Sequence, residues 1–292
     1  MDLFFEGLKN GLAMGSIYAL MALGYSMVYG IVKMINFAHS EFITVGGFLA
    51  YFVSEKILVP VMGNSIGTLL LCLLAAIIVC VIIAIITESF AYKPLRKKGS
   101  SRITALITAI GVSYILGGTM NAITGSQLVF PTFFDSDTVF IISIVTTALL
   151  LVLLTIFVKK TKIGIAMRAV SENEEAAKLM GINNNLIIAL TFVIGSALAA
   201  IGVVIYLLRA PCFNFEIGSV TVGLYPFVAA VVGGIGSLPG SVLGGFLIGI
   251  IRELTAVFGF SQWMDTIVYG IFVIILLFKP AGLLGKDVRE KV

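Results

Sequence analysis

Charge-free stretches longer than ~18 residues, the length at which an apolar segment becomes a candidate spanning helix, fall at 10–32, 57–87, 103–134, 138–158, 179–208 and 217–251. Resolved into helices, and joined by apolar segments at 36–54 and 262–279 that carry isolated charges, they predict spans at 10–31, 36–54, 66–92, 102–122, 138–158, 186–208 and 262–279. The stretch 217–251 is too long for one span and short for two, and its middle reads GGIGSLPG (233–240), a cluster of helix breakers. Two short or tilted helices meeting at a break fit it. Non-helical backbone survives at membrane depth only where protein or a water-filled cavity satisfies its polar groups, so this break is expected to face a pathway or lie at the cytoplasmic surface. A second interruption is expected at 33–39, where Lys33 and Asn36 separate two apolar helices. The pattern predicts an all-α polytopic membrane protein, one domain over 1–292, with about eight to ten transmembrane helices. Its broken or short helices are expected around 33–39 and 217–251.

Composition agrees: the chain is 59% hydrophobic and 12% charged, with mean hydropathy +1.12, outside the range of soluble domains. Basic residues concentrate in KPLRKKGSSR (93–102), KKTKIGIAMR (159–168) and the tail 279–292, whereas 127–138 has none. By the positive-inside rule the first three are cytoplasmic and the last is external, which puts the N-terminus outside. Lipid topology thus accounts for the net charge of +4, and nucleic acid is not an expected partner. Asp2 and Glu6 precede the first apolar run in place of a basic region, so it is expected to be retained rather than cleaved as a signal. Cys72, Cys80 and Cys212 form neither a disulfide framework nor a metal-ligand spacing, and no cofactor is implied. Glycines recur at fourth positions (Gly7, Gly11, Gly15; Gly236, Gly240, Gly244; Gly245, Gly249), a spacing that lets helix backbones approach closely in lipid.

The longest polar stretch, 159–185, is too short for a catalytic domain. Ser171 followed by Glu174 reads as a capping box and Gly181 as a C-terminal stop, which predicts a helix over about 172–180. The small pair Ala176 and Ala177 leaves room for another protein to approach. No G-x-x-x-x-G-K-[ST] phosphate loop occurs in the chain, so any ATP hydrolysis must come from a partner.

Glu175-Ala176-Ala177-Lys178-Leu179-Met180-Gly181 reads E-A-A-x-x-x-G, and it resembles the loop by which permease subunits of bacterial ABC importers dock onto their ATPases. INFAHSE (35–41), AMRAVSENEEAAKLMGIN (166–183), LTFVIGSALAAIGVV (190–204), GGIGSLPGSVLGGFLIGI (233–250) and PAGLLG (280–285) stand in the order found in permeases of branched-chain amino acid importers. The chain is similar, over almost its whole length, to the first of the two paralogous permeases of such importers. The resemblance implies a non-catalytic subunit in a bacterial cytoplasmic membrane, working with ATP-binding subunits, a second permease and an extracytoplasmic substrate-binding protein. It implies that 159–185 is a coupling loop carrying Arg168, Glu172, Glu175, Ala176, Ala177 and Gly181. It also marks Asn36, His39, Glu41, Tyr225 and Glu253 as candidate pathway or gate residues. Two positions depart from the pattern: Ser40 stands where glycine is usual, and Tyr225 stands where relatives often carry lysine.

Other readings fit parts of the same pattern. A permease for urea or short amides shares the pattern, and a gradient-driven transporter could use His39, Glu41, Arg252 and Glu253 as ion sites. An intramembrane enzyme using His39 as a base lacks every supporting motif. Near the cytoplasmic start of the second helix, Asn36 is expected to act as an N-cap and Glu41 to meet the positive helix end.

Overall fold

The computed structural model describes residues 2–124 and 128–285; the basic residues beyond 285 lie outside the described residues. The chain is helical almost throughout. In order come α1 (Asp2–Val32), α2 (His39–Tyr51), α3 (Val59–Met62), α4 (Ile66–Thr87), α5 (Lys93–Lys97), α6 (Arg102–Thr124), α7 (Ser136–Lys160), α8 (Lys162–Glu172), α9 (Glu174–Leu179), α10 (Asn184–Arg209), α11 (Tyr225–Gly233), α12 (Leu238–Val257) and α13 (Met264–Phe278). Among the described residues 8 helical segments are long and apolar enough to cross a membrane, and Ile217–Gly233 is a shorter ninth. The expected interruptions at 33–39 and within 217–251 are both present.

Helix α1 is the central post. It is apolar on every side, and Ile17 through Leu23 are fully buried, the pattern of a helix enclosed by other helices. The glycine stripes explain how it is enclosed. A Cβ on Gly15 would meet the backbone of Phe246, one on Gly245 the backbone of Ala19, and one on Gly249 the backbone of Gly15. The 7/11/15 stripe of α1 therefore faces the 245/249 stripe of α12 directly, while Gly240 and Gly244 press on Gly233 and Ala229 of α11. Without apolar burial to drive association in lipid, such approach supplies the dispersion contacts that hold the bundle.

Among the described residues three wide, π-helical turns interrupt the helices, at Phe52–Leu58, Glu88–Tyr92 and Ile217–Leu224, and each runs directly into a helix whose first turn contains proline: Pro60, Pro94 and Pro226. Proline lacks an N–H and its ring crowds the carbonyl four residues back; an i→i+5 turn relieves that clash and is often found at functional sites.

The two ends of the bundle separate as the charge pattern predicts. Arg96 of α5 reaches Asn185 at the start of α10, which puts 93–102 and the 159–185 region at one end. At the other end the strands β1 (Leu128–Val129) and β2 (Cys212–Phe213) pair antiparallel. Lys9 of α1 meets Asp137 of α7 at 2.6 Å there. Asp135 caps α7, and hydrogen bonds from Thr138, its hydroxyl foremost, hold the Asp135 carboxyl below the usual range. The break at 233–237 lies at the basic end. Its backbone is satisfied by the PAGLLG segment: the N–H groups of Leu283 and Leu284 donate to the carbonyls of Val232 and Gly233 at 2.8 and 2.9 Å.

Candidate functional site

The residues singled out from the sequence fall into three separate groups. The first is a ledge at the basic end. Thr161 caps α8, its hydroxyl accepting from Gly164 N–H at 3.0 Å, and Gly164, Met167 and Val170 form the buried face that seats α8 on the bundle. Arg168 lies on the opposite, exposed side. The expected single helix over 172–180 is corrected: Glu172 ends α8, and Asn173, not Ser171, caps α9, its side chain accepting from Ala176 N–H at 2.9 Å. Ser171 is inside α8 and its hydroxyl turns back to the carbonyl of Arg168. Asparagine is as good a cap as serine, and Asn173 stands two residues nearer the Gly181 stop. That stop is as read: Gly181 has φ +82°, and the N–H groups of Gly181 and Ile182 close onto the carbonyls of Lys178 and Ala177, a Schellman ending. Ala177 is also corrected, because it is buried against the protein's own bundle. What faces outward is Glu175 and Ala176, followed by Leu179 and Met180, 88% and 82% exposed.

The second group lies on the segment re-entering the bundle after α1. Lys33 takes a left-handed backbone (φ 56°), and the chain turns inward to start α2 at His39. Asn36 does not cap α2, since Ala38 occupies that place without a side-chain bond. Instead Asn36 Oδ1 accepts from Ala38 N–H at 3.1 Å and from the Tyr92 hydroxyl at 2.7 Å. His39 and Glu41 are both 1% exposed. Two residues apart on a helix point ~200° apart, and the two side chains do not meet. His39 packs as an aromatic, 4.4 Å from the Tyr25 ring and 5.8 Å from Phe42, against Gly24 and Gly195, and neither ring nitrogen has a protein partner. Glu41 Oε1 accepts from Ser219 at 2.7 Å and Ser113 at 3.1 Å. The expected depth is thereby corrected. Ser113 is midway along α6 and Gly195 near the middle of α10, so both residues sit at mid-bundle rather than at its basic rim. A discontinuous helix brings them there because the 33–38 segment itself runs back into the bundle.

The third group surrounds Arg252. Its Nη1 donates to the Tyr18 hydroxyl at 2.6 Å and lies 3.7 Å from Glu253. Its guanidinium stands 5.4 Å from the Tyr225 ring, and Tyr225 donates its hydroxyl to Asp265. Tyr225 and Glu253 are therefore joined through Arg252, and a tyrosine at 225 places an aromatic face where the cation sits. Sequence reasoning missed Tyr18, Asp265, Ser113 and Ser219; the serines are polar groups inside charge-free runs, a signal that is visible but common. The sequence also missed the buried Glu88–Arg96 pair at 2.7 Å, which ties the second wide turn to α5. Among the described residues no group of three His, Cys, Asp or Glu could hold a metal ion.

Comparison with known proteins places the chain in a family. The family described as "Branched-chain amino acid transport system / permease component" matches residues 7–277. The chain is 41% identical to the high-affinity branched-chain amino acid transport system permease protein BraD of Pseudomonas aeruginosa, over 99% of this chain and 98% of that protein. It is 37% identical to the corresponding permease protein LivH of Escherichia coli K12, again over 99% and 98%. Among solved structures, PsaBC from Streptococcus pneumoniae aligns over 95% of this chain and 96% of that one, with TM-score 0.50 and 17% identity, a likeness of fold.

Proposed function

We propose, since the chain belongs to the family of branched-chain amino acid transport system permease components, that it is the membrane-spanning subunit of an ABC importer for leucine, isoleucine, valine or related hydrophobic amino acids. It works in the cytoplasmic membrane of a bacterium, beside a second, paralogous permease. Cytoplasmic ATP-binding subunits supply the energy and an external binding protein delivers the substrate.

The observation that carries the ATP-coupled part of this reading is the α8–α9 ledge. A passive connector needs no exposed apolar knob, yet Leu179 and Met180 stand out beside Glu175 on a helix closed at both ends by its own caps. An ATPase surface covers that knob. Motion imposed on α9 passes inward by two routes. Asn184 at the start of α10 donates to the Glu174 carbonyl at 2.6 Å, and α10 then continues unbroken for 26 residues, about 39 Å at ~1.5 Å per residue, past Gly195 and His39. From Asn185 the second route runs through Arg96 to Glu88, whose wide turn ends at Tyr92, the partner of Asn36. Both routes end on the re-entrant segment, so a shift of the ledge is felt where α2 begins.

Glu175→Lys and Gly181→Trp test this reading. Gly181 has open space around it, so a tryptophan there clashes with an incoming partner and adds the strain of its left-handed backbone. Both variants should insert normally while copurified ATPase and ATP-driven uptake fall about tenfold or more, a loss of at least ~1.4 kcal/mol at the contact. Normal uptake in both variants would remove the ledge from the mechanism.

A further inference from the structure

Glu41 is a carboxylate at mid-bundle without a cation. Ion pairs among the described residues join Lys9 to Asp137, Arg96 to Glu88 and Arg252 to Glu253; none reaches Glu41. His39 faces the other side of α2, toward Tyr25 and Gly195. Oε1 collects the hydroxyls of Ser219 and Ser113, the Ser40 hydroxyl, 3.5 Å away, donates instead to the Phe37 carbonyl at 2.8 Å, and Oε2 is buried with no partner. A lone ionisable group inside a membrane protein is costly unless its charge is met, and the hydroxyls of Ser113 and Ser219 both turn to Oε1, which leaves Oε2 with its charge unmet.

We propose that Glu41, with the hydroxyls of Ser113 and Ser219, is the station inside the membrane that receives the α-ammonium group of an amino acid in transit. This rests on the amino-acid reading above. A primary ammonium brings the positive charge and three N–H donors. Oε2 accepts one of them as a charge-assisted bond. The oxygens of Ser113 and Ser219, whose protons are committed to Oε1, keep lone pairs for the others.

The walls suit such a visitor. Gly117, Gly218 and Gly223 border the cluster: a Cβ on Gly117 would press on Oε2 and the Phe215 ring, one on Gly218 would meet Thr44, and one on Gly223 would meet Ser40. Phe215 supplies an apolar flank for an aliphatic side chain. Ser219 reaches Glu41 from the wide turn that precedes Pro226, so one wall is a helix discontinuity of the kind that surrounds solutes at the midplane of other transporters. Ser113 and Gly117 belong to α6, which packs on α2 and on the wide turn at 88–92 and leaves Ile107, Tyr114 and Ile115 exposed on its other face. Separating α6 from α2 opens Oε2. In the present conformation the station is closed, as a site with alternating access must be for part of its cycle.

The test uses the complete transporter, both permeases with ATPases and binding protein, in proteoliposomes. Glu41→Gln keeps the shape and removes the charge. Maximal leucine uptake should fall about tenfold or more, the loss expected of one charge-assisted bond, while the binding-protein concentration at half-maximal rate changes less than twofold, and Glu41→Asp should retain more uptake than Glu41→Gln. Equal uptake by wild type and Glu41→Gln overturns the station and leaves the amino-acid reading standing; a wild type that takes up none of the amino acids overturns that reading and the station with it. A second measurement needs no variant. Dicyclohexylcarbodiimide labelling of Glu41 in the wild-type complex, read by mass spectrometry, should be slowed by leucine and by leucinamide but not by 4-methylpentanoate, which lacks the ammonium. Slowing by all three alike, by none of them, or by sodium ions alone contradicts the proposal.

Discussion

Replacing Gly249 by leucine should abolish assembly of the bundle. The α1–α12 seam is backbone against backbone: a Cβ at Gly249 would meet the Cα and N of Gly15 and the carbonyl of Gly11. No rotamer change relieves a clash between main chains, so the two helices must separate along their length, and the contacts at Gly245 with Ala19 and Gly11 with Ile250 are lost with them. Ordinary overpacking costs ~1–3 kcal/mol; here a whole interface is forfeited, and the central helix loses the partner that covers it. Fluorescence-detected size exclusion should find no monodisperse permease. Gly111 of α6 and Gly270 of α13 have no neighbour within 4 Å of a built Cβ. Leucine at either of them adds the same side chain toward open space and should leave the elution profile unchanged, which separates a seam effect from a general intolerance of leucine.

Arg96→Ala should be the next most damaging single change. The Arg96 and Glu88 side chains are only 11% and 3% exposed, and removing one partner of a buried pair strands the other at a cost of ~3–5 kcal/mol. A thermal-shift measurement on purified permease should register it as a large drop in Tm. Replacing both residues together, as Glu88→Leu with Arg96→Met, should recover most of that stability, because two apolar groups of similar volume need no charge partner. Transport should not recover with it, because the reach from Arg96 to Asn185 at 3.4 Å is gone, and with it one of the two routes proposed from the ledge. Full recovery of both would reduce the pair to architecture.

These two effects differ in how far the sequence announces them. The glycine stripes are periodic, and in lipid that period has one main physical meaning, so the close packing of α1 on α12 could be expected from spacing alone. The partner of each stripe could not, because the rule says how near a backbone comes and not to which helix. The breaks at 33–39 and 233–240 were equally readable, from Lys33 and Asn36 and from GGIGSLPG. The wide turns before Pro60, Pro94 and Pro226 were not drawn from the sequence, although the prolines were in view; interior proline demands some local relief, and only the packing around it selects an i→i+5 turn over a kink. The Glu88–Arg96 pair spans eight residues across such a turn, outside the i, i+4 spacing that sequence reading searches.

The site residues divide in the same way. Gly181 is a stop that local chemistry dictates and the structure keeps. Ser171 is the cap that the local sequence suggests, and the structure uses Asn173, two residues on, because the seating of α8 on the bundle decides: continuing α8 to Glu172 takes Ser171 inside a helix, where its hydroxyl bonds backward. The position of Glu41 depended on tertiary facts entirely. Read along the chain it stands a few residues after the end of α1, at the cytoplasmic rim; the inward run of 33–38 carries it to the level of Ser113, and Ser219 arrives from a segment 178 residues away. Polar groups that meet across such distances leave no periodic trace.

ATP-dependent uptake in proteoliposomes holding this permease, its paralogue and the ATPases is the most direct measurement. With radiolabelled leucine, isoleucine or valine and the binding protein outside, accumulation should require ATP inside, require the binding protein, and stop with Gly181→Trp. Accumulation driven by a proton or sodium gradient with no ATP present, and unaffected by the change at Gly181, would contradict an ATPase-driven importer.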